Sequence, residues 1–267
     1  MDNISSERKK YLRGKRKAKF LIILAQVSFL AIFVAVWEIL ARLEVIDSFI
    51  TSSPSRILKT FVDMLKNELM KHIAVTCMET MLGFLLGTLL GTLIASLLWW
   101  SPFFSKVMSP YLAVLNSLPK VALGPIIIIW VGAGTSAIVT MALAISLIVT
   151  IMEVLNGFTT TDVNRIKMAE TFGANKFQVF TKIVFPSNIP TLLNVLKVSM
   201  GLSMVGVITG EFLVSKAGIG YLIVYGGQVF KLDLVMTSVI ILAVVATIMY
   251  QGIILLQSFI NKRGKWQ

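Results

Sequence analysis

The residues able to do chemistry in this chain are few and widely spaced. One histidine, His72, and one cysteine, Cys77, leave no material for a thiolate zinc site, an intrachain disulfide or a His-based triad. Serines and threonines are scattered through apolar runs with no base in register. Gly14-Lys15 and Gly264-Lys265 lack the second glycine and the hydroxyl residue of the G-x-x-x-x-G-K-[ST] loop that cradles phosphates. The expectation is a chain without catalytic residues, metal or nucleotide of its own. The chemistry left lies with four carboxylates in or near the ends of apolar runs, Glu38, Glu79, Glu153 and Glu211, and with Lys120 between two prolines. Such groups suit proton carriage or the lining of a solute path.

The elements that must position them are membrane helices. Of 267 residues, 56% are hydrophobic and 14% charged, and mean hydropathy is +0.84. Soluble chains are about a quarter charged. A span needs about 20 apolar residues, and the runs at 20–43, 73–99, 108–131, 136–157, 191–213 and 234–260 qualify. An even number of spans puts both termini on one side. The segments on that side hold about sixteen Lys and Arg, against about seven opposite, which makes it the cytoplasm by the positive-inside rule. The net charge of +12 is therefore a topology signal, with anionic lipid headgroups and not nucleic acid as its partner. The first run continues from Phe20 to about Leu43 without a small-residue cleavage site and reads as an uncleaved span.

Within the spans, Gly83, Gly87, Gly91 and Ala95 repeat every four residues, and Gly201, Gly206 and Gly210 follow in the fifth. Both sets suit close helix contact. The third run contains Pro110, Pro119 and Pro125, and a helix broken at membrane depth is tolerated only against protein or a water-filled cavity. Pro119, Lys120, Pro125 and Glu211 are the candidates for the translocation path, with a merely kinked packing helix as the plainer alternative. Glu38 is expected to be solvated at the outer interface. Ser53 before Pro54 starts an outer surface helix with Ile57, Leu58, Phe61 and Leu65 on one face.

The polar segment Arg165 to Pro190 has a helical pattern of its own. Ile166, Ala169, Phe172, Gly173, Phe177, Phe180 and Val184 recur three or four residues apart, which predicts one amphipathic helix, or two short ones broken at Gly173, ended by Pro186 and Pro190. Ala169, Gly173, Ile183, Phe185 and Pro186 resemble the cytoplasmic loop signature of ABC-importer permeases. Lys167 stands where that signature has an acid, Met168 at its first alanine and Phe185 at its leucine. The series Pro119, Ala122, Leu123, Pro125, Trp130, Gly132, the run WEILARLEVIDSFITSSPS, and Glu211, Gly218, Gly220, Tyr221, Leu222 and Asp233 are similar to the nitrate, sulfonate and taurine group, which also handles thiamine precursors. Where that group often carries Arg, this chain has Glu79.

The resemblance implies an all-α polytopic fold of the type I importer kind. It would comprise a basic cytoplasmic tail at 1–19, a six-helix permease domain at 20–260 with its coupling loop at 158–190, and a basic tail at 261–267. It implies a multi-pass protein of the cytoplasmic membrane, working as a homodimer with two ATPase subunits that bind ATP and Mg, and with an extracytoplasmic solute-binding protein. Lys167, Ala169, Phe172, Gly173, Phe177, Ile183 and Pro186 would contact the ATPase, and the loop's apolar face would be buried in that partner and not in the chain's own core. The rival is a proton-coupled secondary transporter, which predicts paired acids and bases at mid-membrane.

Overall fold

The computed structural model describes residues 6–264; the ends of both basic tails, 1–5 and 265–267, lie outside the described residues, as do the side chains of residues 6–10, 12, 13, 16 and 261–263. The chain runs as α1 (Ser6–Arg42), α2 (Ser48–Thr51), α3 (Pro54–Lys66), α4 (Leu69–Trp100), α5 (Pro102–Ser117), a 3-10 turn at Lys120–Leu123, α6 (Gly124–Val131) and α7 (Thr135–Thr159). There follow α8 (Val163–Thr171), α9 (Lys176–Val179), a π turn at Phe180–Val184, α10 (Phe185–Ser187), α11 (Ile189–Val214), α12 (Ile219–Gln228) and α13 (Leu232–Gly264). Among the described residues no strand forms.

Five helices are long and apolar enough to cross a membrane, in α1, α4, α7, α11 and α13. The sixth run differs from expectation. It starts earlier, at Pro102, keeps Pro110 inside α5, and bends by 86° between α5 and the 3-10 turn that leads into α6. Pro119 is the cause: its ring pushes Leu118 out of the helical region, to φ −66°, ψ 140°. Pro125 falls in the first turn of α6, where its missing N–H costs nothing. The chain is a multi-pass membrane protein with five single-helix spans and one broken pair. The helix α1 begins at Ser6 and so includes much of the basic segment before residue 20; its 37 residues rise about 55 Å, against a hydrocarbon core of about 30 Å.

The core is a three-helix sandwich with α7 in the middle. On one side Gly83, Gly87 and Gly91 of α4 face Ala142, Ser146 and Thr150 of α7; on the other, Gly206 of α11 lies against the backbone of Ala142 and Gly210 against Ile138. At Gly210 a Cβ would sit 2.9 Å from the Ile138 Cα, and at Gly206 it would meet the Ala142 Cα. These approaches need the absence of a side chain. Gly201 differs from the expectation of close packing: nothing lies within 4 Å of where its Cβ would be, and it lines a cavity of about 640 Å³ between α11 and α13.

At the end of the bundle away from the α8–α10 loop, α3 is capped by Ser53, whose Oγ accepts from Arg56 N, and packs through Ile57, Phe61 and Met64 while Leu58 and Leu65 stay exposed. Glu38 is not merely solvated. It pairs with Arg42 at 2.7 Å and accepts from Ser55 N at 3.0 Å, tying α1 to the start of α3. Arg56 donates from Nη2 to Asp233 at 2.7 Å, and Ser52 Oγ donates to the same carboxylate at 2.7 Å, tying α3 to the start of α13. With α1 and α13 both meeting α3 at this end, Ser6 and Gly264 fall at the loop end.

Gly206→Ala is expected to destabilise the purified chain by roughly 1–3 kcal/mol through overpacking. Gly201→Ala should be neutral or stabilise it by up to about 1 kcal/mol through helix propensity. Thermal melts of the two variants in one detergent check the contrast.

Candidate functional site

The loop between α7 and α11 is two short helices joined at Gly173. Asp162 caps α8, its Oδ1 accepting from Asn164 N at 2.9 Å. The other end of α8 closes in a Schellman motif: Gly173 N donates to Glu170 O at 2.9 Å, Ala174 N to Ala169 O at 3.0 Å, and Gly173 takes φ +81°. The predicted break is there, and its local reason is that a left-handed residue is needed to end α8. Asn175 and Gln178 form a capping box that restarts the chain as α9. Pro186 does not end this helix. Phe185 N reaches back five residues to Phe180 O, making the π turn, and Pro186 follows without an N–H of its own in α10. The break falls at Asn188, and Pro190 sits in the first turn of α11.

The apolar face predicted for this segment divides in two. Ile166, Ala169, Phe180, Val179 and Val184 pack on the bundle's own core with Phe158 and Ala95. Phe180 sits among Trp99, Phe158 and Trp100, with ring centroids 4.9, 5.4 and 5.7 Å away. Lys176 Nζ donates to Trp100 O at 2.5 Å, at the carbonyl end of α4. Asn188 Nδ2 donates to Thr161 Oγ1 at 2.7 Å and to Val184 O at 2.8 Å, locking the end of α7 to the loop. Phe172 and Phe177, by contrast, are 84% and 63% exposed, and Met168 joins them at 59%. Gly173 lies between, with open space around it, and Lys167 is exposed and forms no ion pair among the described residues. Ile183 and Pro186 are half-buried and line a cleft of about 450 Å³ with Arg165, Met168, Lys182, Ser187 and Pro190. The loop is thus fixed to the bundle on one side and presents a bare aromatic edge and a partly basic cleft on the other.

The path candidates do not come together. Pro119 and Pro125 are exposed at the bend. Lys120 Nζ donates to Asn116 O at 3.0 Å and Oδ1 at 3.1 Å, so it caps the end of α5. Glu211 lies elsewhere, buried between α4, α11 and α12. Glu153 is exposed at the loop end and makes no ion pair among the described residues. The grouping that sequence reasoning missed is at the far end of the bundle, where His72, Thr76, Glu79 and Glu211 meet the start of α12. Glu79 and Glu211 were legible one at a time, but their adjacency comes from the antiparallel register of α4 and α11, which also brings Thr88 to Ser199. Among the described residues no three potential ligands gather to hold a metal.

Residues 87–265 match the model of the binding-protein-dependent transport system inner membrane component. This is two thirds of the chain and contains the whole loop. The chain belongs to that family.

Among its relatives, SsuC of Bacillus subtilis (strain 168), named as an aliphatic sulfonates transport permease protein, is 29% identical over 89% of this chain and 85% of its own. The taurine transport system permease protein TauC of Escherichia coli (strain K12) is 24% identical over 85% of each chain. The riboflavin transport system permease protein RibX of Chloroflexus aurantiacus is 29% identical over 83% of each. The fold is that of solved ABC transporters. A MetNI methionine transporter chain in inward-facing form aligns with a TM-score of 0.56 at 16% identity, covering 69% of this permease and 95% of that chain. An amino acid ABC transporter aligns with the same score at 20% identity, over 76% and 98%.

Phe180→Ala is expected to cost this permease roughly 3 kcal/mol, since it removes the ring that joins loop to bundle. Phe172→Ala should stay within about 0.5 kcal/mol, because that residue is 84% exposed. Chemical or thermal melts of the isolated chain distinguish the two faces.

Proposed function

We propose that this chain is the membrane-spanning subunit of an ATP-driven importer, and that the α8–α9 edge is where a separate ATPase docks. The observation that carries the reading is the divided loop. Its inner face is held to the bundle by Phe180, Lys176 and Asn188, while Met168, Phe172 and Phe177 stand bare beside a cleft, a patch that water disfavours and a partner groove would cover. A segment fixed on one side and docked on the other transmits displacement. ATP and Mg would be bound by the partner, which supplies the energy this chain cannot. Two copies of the permease with two ATPases and an extracytoplasmic binding protein form the working complex in the cytoplasmic membrane, with both termini and the loop in the cytoplasm. The excess of Lys and Arg at that end supports the orientation.

Within the loop, Lys167, Ala169, Phe172, Gly173, Phe177, Ile183 and Pro186 remain the residues proposed for coupling. Phe172, Gly173 and Phe177 form the contact edge, Ile183 and Pro186 the floor of the cleft, and Ala169 the packing of α8 on the bundle. The solute is of the small sulfonate, taurine, nitrate or thiamine-precursor type, by kinship with relatives named for sulfonates and taurine. Pro119, Lys120, Pro125 and Glu211 are retained as path candidates only through the bend they create or the helices they hold.

Two measurements test this. Uptake into proteoliposomes should need the cognate ATPase and ATP; uptake driven by a proton gradient alone would establish the secondary-transporter reading instead. Gly173→Trp adds bulk where the permease itself has open space, while Gly173→Ala carries the same left-handed strain without the bulk. The Trp variant should reach the membrane and lose the ATPase, or at least tenfold of coupled hydrolysis, while the Ala variant keeps most of both. Full stoichiometry and full substrate-stimulated hydrolysis in the Trp variant would overturn the docking assignment.

A further inference from the structure

The first turn of α12 begins without neighbours of its own chain segment to take its amides, and three side chains from other helices take them. Gly218 N donates to His72 Nδ1 at 3.0 Å, Ile219 N to Thr76 Oγ1 at 2.8 Å, and Gly220 N to Glu211 Oε2 at 2.5 Å. Thr76 passes its single hydroxyl proton on to Glu211 Oε1 at 2.6 Å. Both oxygens of Glu211 therefore act as acceptors, at the amide end of a ten-residue helix, which is the setting of a carboxylate anion. The fit is tight: a Cβ on Gly218 or Gly220 would collide with the Glu211 carboxyl.

Glu79 is the unexplained group. It is 3% exposed, faces Glu211 and Thr135, and its Oε2 has no hydrogen-bond partner. No Lys, Arg or His pairs with either acid among the described residues; Lys71, the nearest cation in sequence to Glu79, pairs with Glu68, and Lys216, the nearest to Glu211, is exposed. The other titratable groups around the cluster are His72 and Cys77 on α4 and Tyr221 on α12, with His72 already occupied as an acceptor and stacked on Tyr221. α7 contributes only Thr135. Two adjacent buried carboxylates with no counter-charge repel each other and lose their hydration, so such a pair holds a proton in common. Glu211 already accepts through both oxygens, so the proton belongs to Glu79, whose carboxyl has no donor bonded to its buried Oε2.

We propose that Glu79 and Glu211 form a one-proton carboxyl pair at the end of the bundle away from the loop, with Glu211 as the anion that latches α12 and Glu79 as the residue that binds the proton. The ligand is a proton and the site is the Glu79 carboxyl where it faces Glu211. This inference stands apart from the ATPase reading, since it concerns the opposite end of the molecule and holds with or without a docked partner.

Infrared spectroscopy of the full chain in lipid nanodiscs at neutral pH tests it. A protonated-carboxyl carbonyl band is expected in the wild type, lost in the near-isosteric Glu79→Gln and retained in Glu211→Gln. A wild-type spectrum without the band, a band unchanged by Glu79→Gln, or its loss in Glu211→Gln alone would overturn the assignment. Thermal melts supply the second readout should Glu211→Gln fail to fold. The wild-type melting temperature should fall as alkaline pH removes the proton, and Glu79→Gln should flatten that fall; equal slopes in the two proteins refute the proposal.

Discussion

Close contact of helix backbones on both sides of α7 is the constraint on which the rest of this permease depends. Lipid gives apolar helices little reason to prefer each other over acyl chains, so association in the membrane rests on packing that a bulky side chain would prevent. Here α4 offers a row of glycines to one face of α7 and α11 offers Gly206 and Gly210 to the other, which lets Ala142 be approached from both sides. With the three helices fixed in register, everything at their ends is fixed too. The aromatic cluster of Trp99, Phe158 and Phe180 forms where α4, α7 and the loop meet, and the acid cluster of Glu79 and Glu211 forms at the other end.

The two ends are built differently. At the loop end the contacts are large rings and side chains that cap helix carbonyls, suited to carrying load between a short helix and a bundle. At the other end α2, α3 and α12 are held by short polar bonds, with Arg56 and Ser52 on Asp233, Arg42 and Ser55 on Glu38, and three side chains on the first amides of α12. The bent α5–α6 pair stands between these regimes, since only Leu112 of α5 is buried while α6 packs on α7 and α11.

Much of this architecture was legible in the chain itself, for physical reasons that attach to particular residues. Membrane spans are set by length and hydropathy, because backbone polar groups have no water to bond within lipid. The glycine repeats announce close packing because no other residue permits it, Ser53 before Pro54 announces a helix start, and Gly173 announces the end of α8 because the motif that closes it needs a left-handed residue. The family resemblance followed from glycine and proline registers that such geometry demands, and the match across residues 87–265 bears it out.

What the one-dimensional pattern left open were contacts between residues distant in sequence. Period alone put Phe172, Phe177 and Phe180 on one face; the turn at Gly173 and the neighbouring Trp99 decided that Phe180 turns inward and Phe172 outward. Gly201 looked like its neighbours Gly206 and Gly210, yet it faces a cavity, because α7 is met by only one side of α11. Glu38, whose ion pair with Arg42 lies one turn away on α1, was joined to the start of α3 only once Ser55 N was brought to it. The chain by itself determined what must be helical, apolar or small, since those are properties of each residue in lipid or water. Which side chains touch, and so which acids share a site, was decided by the antiparallel register of packed helices, a quantity that no single segment contains.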